Sequence, residues 1–155
     1  MNQFFLKIEF NINEKLGLFR WRFQNWIKKT LEIAKNDSSN FPQKLELCLR
    51  LVGIRESHML NYQFRNCDYP TNVLTFEYGL NQFGKTCSDI IICVPILKLE
   101  ANEQGKSLLH HAAHLTIHGT LHSIGYNHIK QKEAAQMEAL ETKIMIKMNM
   151  PNPYI

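Results

Sequence analysis

An α+β fold built on a single mixed β-sheet of about four strands packed with helices is predicted by three features of the sequence. Leu45, Leu47, Leu49 and Leu51 alternate with Glu46, Cys48, Arg50 and Val52, the period-two pattern of a half-buried strand. Asp89 to Val94 (D-I-I-I-C-V) is an almost unbroken apolar run, as expected of a strand covered on both faces. Helical spacing of apolar residues recurs between and beyond these strands, with no repeat, low-complexity tract or linker to divide the chain.

Taken in order, residues 3–12 alternate loosely, with Phe4, Leu6, Ile8, Phe10 and Ile12 on one side, and predict a first strand. From Glu14 to Lys35, Leu16, Phe19, Phe23, Trp26, Ile27, Leu31 and Ala34 keep helical spacing, while Arg20, Arg22, Lys28 and Lys29 sit largely between them. The pattern is that of a helix with one face in the core and a charged face in solvent. Asn36 to Asn40 with Pro42 is a loop. The leucine strand follows, then a short helix from Arg55 to Arg65, a turn at residues 66–70 and a third strand from Asn72 to Phe76. Glu77 to Thr86, polar and glycine-containing, reads as an exposed loop before the apolar strand, which Pro95 should stop. Glu103 to Ile124 is expected to be one long helix and Gln131 to Met148 a last one, Met137, Leu140, Glu141, Ile144 and Met148 sharing a stripe. The order is βαβαββαα, in one domain spanning residues 1–155.

At 155 residues the chain can bury a sizeable core, roughly two-thirds of its unfolded surface. Its 45% hydrophobic and 21% charged residues are ordinary for a globular protein. The net charge of +4 is compatible with a polyanionic partner without demanding one. No apolar run approaches the ~18 residues that would span a bilayer, and the first residues do not read as a secretion signal, so a cytoplasmic location is expected. Cys48, Cys67, Cys87 and Cys93 form no C-x-x-C pair and are read as reduced thiols, Cys48 and Cys93 packing in strands.

The chemistry concentrates in His118-Gly119-Thr120-Leu121-His122-Ser123-Ile124-Gly125-Tyr126-Asn127-His128. Helical residues four apart differ by about 40° in azimuth and about 6 Å in height, so His118 and His122 can close on one cation. Gly125 suits the left-handed conformation that ends helices, which turns the chain back to bring His128 to the same ion. Three neutral imidazoles leave one coordination position open for water, the arrangement of a catalytic zinc site. His114 lies one turn earlier, so His114 with His118 is a competing pair. The glycine turn follows His122 more naturally, which leaves His114 behind the ligands or in a groove. His110 and His111 read as ordinary polar helix residues.

A second segment, Leu60-Asn61-x-x-Phe64-Arg65-x-x-Asp68-x-Pro70-Thr71-Asn72-Val73-Leu74-Thr75-Phe76, accompanies the first. Together they resemble the two signatures of the YbeY family, L-N-x-x-x-R-x-x-D-x-P-T-N-V-L-S-F and H-G-x-L-H-L-x-G-Y-D-H. Asp89 to Cys93 and Met137 to Glu141 look like further family segments, so the likeness covers nearly the whole chain. It departs at Ser88 (usually glycine), Thr75 (serine), Ser123 (apolar) and Asn127 (aspartate). The resemblance implies a single-strand-specific, zinc-dependent endoribonuclease acting in ribosomal RNA maturation, at the 3′ end of 16S rRNA, and in ribosome quality control. It implies one zinc ion on His118, His122 and His128, with Arg65 the functional arginine. Single-stranded or ribosomal RNA and the ribosome or its small-subunit proteins would be the partners, with no DNA and no membrane. A guanidinium, permanently charged and able to grip two phosphate oxygens, suits that role. Without the family pattern, a surface arginine closing on Asp68 would be the simpler reading.

Two rival classes are weighed against this. The spacing H-x3-H-x2-G-x2-H is also that of the metzincin zinc peptidases, which carry a glutamate base directly after the first histidine. Gly119 stands there and leaves room beside the metal, which disfavours peptide hydrolysis. A non-catalytic RNA- or ribosome-binding metalloprotein is disfavoured by a set of only three evident ligands.

Overall fold

The structure, a computed structural model, describes residues 2–13, 16–37 and 41–155. Its elements are β1 (Gln3–Phe10), α1 (Arg20–Lys35), β2 (Lys44–Val52), α2 (Ile54–Arg65), β3 (Val73–Leu80), β4 (Thr86–Cys93), α3 (Val94–Glu103), α4 (Leu108–Ser123) and α5 (Gln131–Lys147). The four strands form one sheet in the order β1-β2-β4-β3. The first two pairings are parallel, Leu6 lying opposite Leu47 and Leu49 opposite Ile90, whereas β3 runs antiparallel to β4 with Thr75 opposite Ile90. The fold class expected from the sequence is the one observed.

Strand alternation divides the side chains between two layers. Leu45, Leu47, Leu49 and Leu51 of β2, with Ile90 and Ile92 of β4, face one side and pack with Phe23, Ile27 and Leu31 of α1, Ile117 and Leu121 of α4, and Ile144 of α5. Val52, Leu74, Ile91 and Cys93 face the other, with Leu60 of α2 and Ile96 of α3 against them. The D-I-I-I-C-V run is thus buried on both faces, because each consecutive residue serves a different core. Leu45, Leu47 and Leu49 are completely buried, and truncating any one to alanine should cost about 2–5 kcal/mol.

Helix α4 crosses the larger core, enclosed by the sheet, α1 and α5. Its buried hydroxyls return to the backbone one turn earlier, Thr116 to the Ala112 carbonyl and Thr120 to the Thr116 carbonyl, at 2.8 and 2.7 Å. A helix rich in histidine and threonine therefore sits in an apolar layer without unpaired hydroxyls. Gly119 makes the closest approach to the sheet. A Cβ there would stand 2.8 Å from Cγ2 of Ile90, so α4 could not lie this near β4 with any other residue. One helical turn on, Ser123 donates to the Gly119 carbonyl at 2.9 Å and Ser88 of β4 lies 2.7 Å from its hydroxyl, both serines being buried.

Three boundaries differ from expectation. The first helix begins at Arg20; Leu16 and Gly17 take left-handed φ of 41° and 74°, and Glu14 and Lys15 lie outside the described residues. Of the loop expected at residues 36–42, residues 38–40 also lie outside them. Glu77 to Leu80 is strand rather than loop, held by backbone pairing with β4 and not by burial, so no apolar pattern marks it. Pro95 does end the strand, but it also opens α3, since the first turn of a helix needs no N–H from it. The helix expected from Glu103 to Ile124 starts only at Leu108, as α4, and α3 before it is a fifth helix that the expected order βαβαββαα lacks. Gly105 at φ 64° closes α3, and Ser107 accepts from the His110 N–H at 3.3 Å to start α4. No helix among the described residues is long and apolar enough to cross a membrane.

Candidate metal centre and cleft

His118 and His122 sit one turn apart near the C-terminal end of α4. The helix ends at Ser123, and Gly125 at φ 106° reverses the chain, with the Tyr126 N–H returning to the Leu121 carbonyl at 3.0 Å. His128 is carried back over the helix end by this turn. The ring centroids are 4.6 Å apart for His118 and His122, 4.9 Å for His122 and His128, and 5.4 Å for His118 and His128. One nitrogen from each ring lies within 4.8 Å of the other two, a donor set able to hold a metal ion.

The protonation pattern suits that task. Nδ1 of His118 is 2.7 Å from Oε1 of Glu141, a fully buried carboxylate on α5. Burial works to raise the Glu141 carboxyl, but hydrogen bonds from His114, His118 and Tyr154 outweigh it and hold the group at about 2. Glu141 is therefore an anion, the His118 proton sits on Nδ1, and Nε2 offers its lone pair to the cleft. Nε2 of His122 lies 3.1 Å from it. Burial, followed by the neighbouring charges of His118 and His128, lowers His122 to about 4, so that ring is neutral at physiological pH.

His114 takes the place behind the ligands that its spacing allowed. Its Nε2 is 3.3 Å from both Glu141 Oε2 and the Tyr154 hydroxyl, and its ring meets Tyr154 edge-on at 5.3 Å. His111, expected as an ordinary polar helix residue, is a buried member of α4 with a carboxylate partner. It is 5% exposed, with Nε2 3.0 Å from Glu100. Glu141 and Tyr154 were missed as contributors. A glutamate on the apolar stripe of the last helix was the available signal, since a buried carboxylate needs partners. Nothing in the sequence marks Tyr154, which reaches Glu141 only because the tail folds back and the Lys106 ammonium holds the Pro153 carbonyl.

Arg65 comes from the other layer. The segment that carries it is tied down by small polar residues: Ser57 donates to the Thr71 carbonyl at 2.9 Å and Asn61 to the Tyr69 carbonyl at 2.8 Å. Asn66 ends α2 in a left-handed conformation at φ 58°. Phe64 packs edge-on against Phe76 at 5.2 Å, and Arg65, next in sequence, reaches around edge strand β3 to the Thr75 carbonyl at 3.4 Å. Asp68 does not engage Arg65, because His58 holds it at 2.7 Å. A cleft of ≈ 170 Å³ is lined by Arg65, by Val73, Thr75 and Glu77 of β3, and by the three histidines.

Gly119 has a different role from the one its place beside the first histidine suggested. It faces Ile90 in the core, so it makes no room beside the histidines; it lets α4 touch the sheet. The model of the family described as Endoribonuclease YbeY matches residues 9–149. The chain belongs to the YbeY family. An endoribonuclease YbeY of Bordetella pertussis is 52% identical over 136 residues, 88% of this chain and 87% of that protein. The Bordetella petrii protein of the same name is 50% identical over 149 residues, 96% of each. The solution structure of TM1509 from Thermotoga maritima shares the fold at 23% identity, with a TM-score of 0.60 over 93% of this chain and 91% of that one.

Two departures from the YbeY pattern are one feature in space. Ser88 and Ser123 are 35 positions apart in sequence and bond to each other. Asn127, in place of the family's aspartate, accepts from the Ile129 N–H at 3.4 Å and so serves the turn into His128.

Proposed function

We propose that this chain is a single-strand-specific endoribonuclease that uses one zinc ion on His118, His122 and His128 and matures ribosomal RNA, including the 3′ end of 16S rRNA. The observation that carries this reading is the meeting of the three imidazoles and Arg65 in one cleft, in a chain of the YbeY family. Zn–N bonds of about 2.0–2.1 Å in a tetrahedron put ligand nitrogens a little over 3 Å apart. The 3.1 Å separation of the His118 and His122 nitrogens is close to that, and neutral imidazoles suit zinc. When bound, the ion would supply a water of lowered pKa and a positive charge beside a phosphate oxygen.

The chain's own groups do the rest. Glu141 fixes the His118 tautomer, and Tyr154 and His114 fix Glu141. Arg65, solvent-exposed at the rim, holds the scissile phosphate and offsets the negative charge that grows on it. The path for RNA is open because the cleft lies at the edge of the sheet. Partners of the ribosome or small subunit would present the substrate in the cytoplasm.

The peptidase alternative asks for a carboxylate directly after His118, where Gly119 is packed against Ile90. The non-catalytic alternative asks for a closed site, whereas His128 is exposed and the cleft open. The deciding experiment is cleavage of a labelled single-stranded RNA by zinc-loaded protein, beside His122→Ala, a chelated control and a casein digest. Cleavage lost in both controls, with casein intact, is the expected result. Cleavage surviving both controls, or casein hydrolysis, overturns the reading.

A further inference from the structure

The cleft holds one group that neither the metal donors nor the phosphate grip uses. Strand alternation places Val73, Thr75 and Glu77 on the α4 side of β3, so the Glu77 carboxylate shares the cleft with the three histidines and Arg65. Among the described residues it is the one carboxylate lining that cleft. The other acidic groups nearby are committed: Glu141 to His118, His114 and Tyr154, Asp68 to His58, and Asp89 to the Tyr78 hydroxyl at 2.8 Å. Among the described residues Glu77 has no side-chain hydrogen-bond partner, and Arg65 is the charge that acts on it.

Its strand departs from regular pairing just after it. The register with β4 slips between Glu77 and Gly79, and Gly79 takes φ 74°. Such bulges re-aim a side chain and cluster near active sites. Tyr78, the residue left over, is clamped to Asp89 on β4, which fixes the chain beside Glu77.

We propose that Glu77 is the proton-transferring catalytic residue, an inference that rests on the endoribonuclease reading above. Position 119, where a metzincin would carry its base, faces the core, so the base must come from another wall. Glu77 is the carboxylate on the opposite wall. As the attacking water oxygen bonds to phosphorus, the Glu77 carboxylate takes its proton. As the bond from phosphorus to the leaving ribose oxygen breaks, Glu77 returns that proton to the oxygen. The products are a phosphomonoester end and a hydroxyl end, and Glu77 is ionised again. Glu77 is exposed at the mouth of the cleft, and partial desolvation there raises its carboxyl against the pull of Arg65, the direction that suits a group that must both take and give a proton.

The test compares the parent with Glu77→Gln and Glu77→Ala, each checked for folding by thermal melting. Three quantities are read: zinc affinity by competition with a chelator, binding of a non-cleavable single-stranded RNA by anisotropy, and single-turnover cleavage. Zinc and RNA binding should stay within about twofold while cleavage falls by about 10²–10⁴-fold in both variants. Added formate should restore part of the rate to Glu77→Ala and none to Glu77→Gln, whose amide fills the space. Cleavage within threefold of the parent overturns the assignment. So does a tenfold loss of zinc affinity, which would make Glu77 a ligand, or a matching loss of RNA binding, which would make it a partner of Arg65. A parent that leaves the RNA intact overturns the endoribonuclease reading and this assignment with it.

Discussion

A carboxylate with no solvent exposure sits behind the first ligand, and most of what can be tested at single residues follows from it. Glu141 is bonded by His114, His118 and Tyr154 together, so its charge is spread over three donors. Glu141→Gln keeps the volume but removes the charge that fixes the His118 proton on Nδ1. Zinc affinity should fall by about 10–100-fold, read by chelator competition, with Tyr154→Phe in the same direction and smaller. At the other side of the cleft, Arg65→Ala and Arg65→Lys should lose cleavage equally if a two-pronged grip on phosphate is what counts; activity retained in both would take Arg65 out of the mechanism. That the three histidines and Arg65 share one cleft was legible because helical geometry and a two-part motif each constrain a few residues strongly. That Glu77 lines the same cleft and that Tyr154 backs Glu141 was not, because a strand bulge and a folded-back tail leave no periodic trace.

Among elements, the contact of α4 with β4 decides where the histidines stand. Gly119→Ala forces a methyl group against Cγ2 of Ile90 and should cost about 1–3 kcal/mol, seen as a lower Tm; with Ile90→Ala, which removes that atom, the two losses should be less than additive. The serine pair beside it is asymmetric. Ser123 gives its proton to the Gly119 carbonyl, so Ser88 must be the donor to Ser123. Ser123→Ala strands the buried Ser88 hydroxyl and should cost about 1–3 kcal/mol, whereas Ser88→Ala leaves Ser123 satisfied and should cost about 1 kcal/mol. Denaturant unfolding of the two variants and their double distinguishes these. The leucine strand, the apolar part of β4 and the last helix, with strong apolar patterns, were read from sequence; stretches held by backbone pairing or started by a cap were not. The Glu77–Leu80 end of β3 belongs to the first kind of miss and the start of α4 at Leu108 to the second, while α3 was hidden behind Pro95, which reads only as the end of a strand.

At the scale of the molecule, the cleft is where two layers meet at a sheet edge. Arg65 arrives from the smaller layer and the histidines from the larger, with β3 between them. A metal bound there joins α4 to its following turn in the folded state only. Zinc at a thousandfold excess over its Kd should therefore stabilise the protein by about 4 kcal/mol and raise Tm by roughly 8–16 °C. A chelator should remove that increment from the parent and leave His122→Ala unmoved. That one strand is covered on both faces was readable from the short apolar run of β4, while the strand order was not, since nothing in β1 or β2 alone says which neighbour each takes. The buried serine pair also bears on exchange of parts between relatives. A hybrid given α4 from a family member with an apolar residue at position 123 would set that side chain against the Ser88 hydroxyl, so a working graft has to carry strand β4 along with the helix.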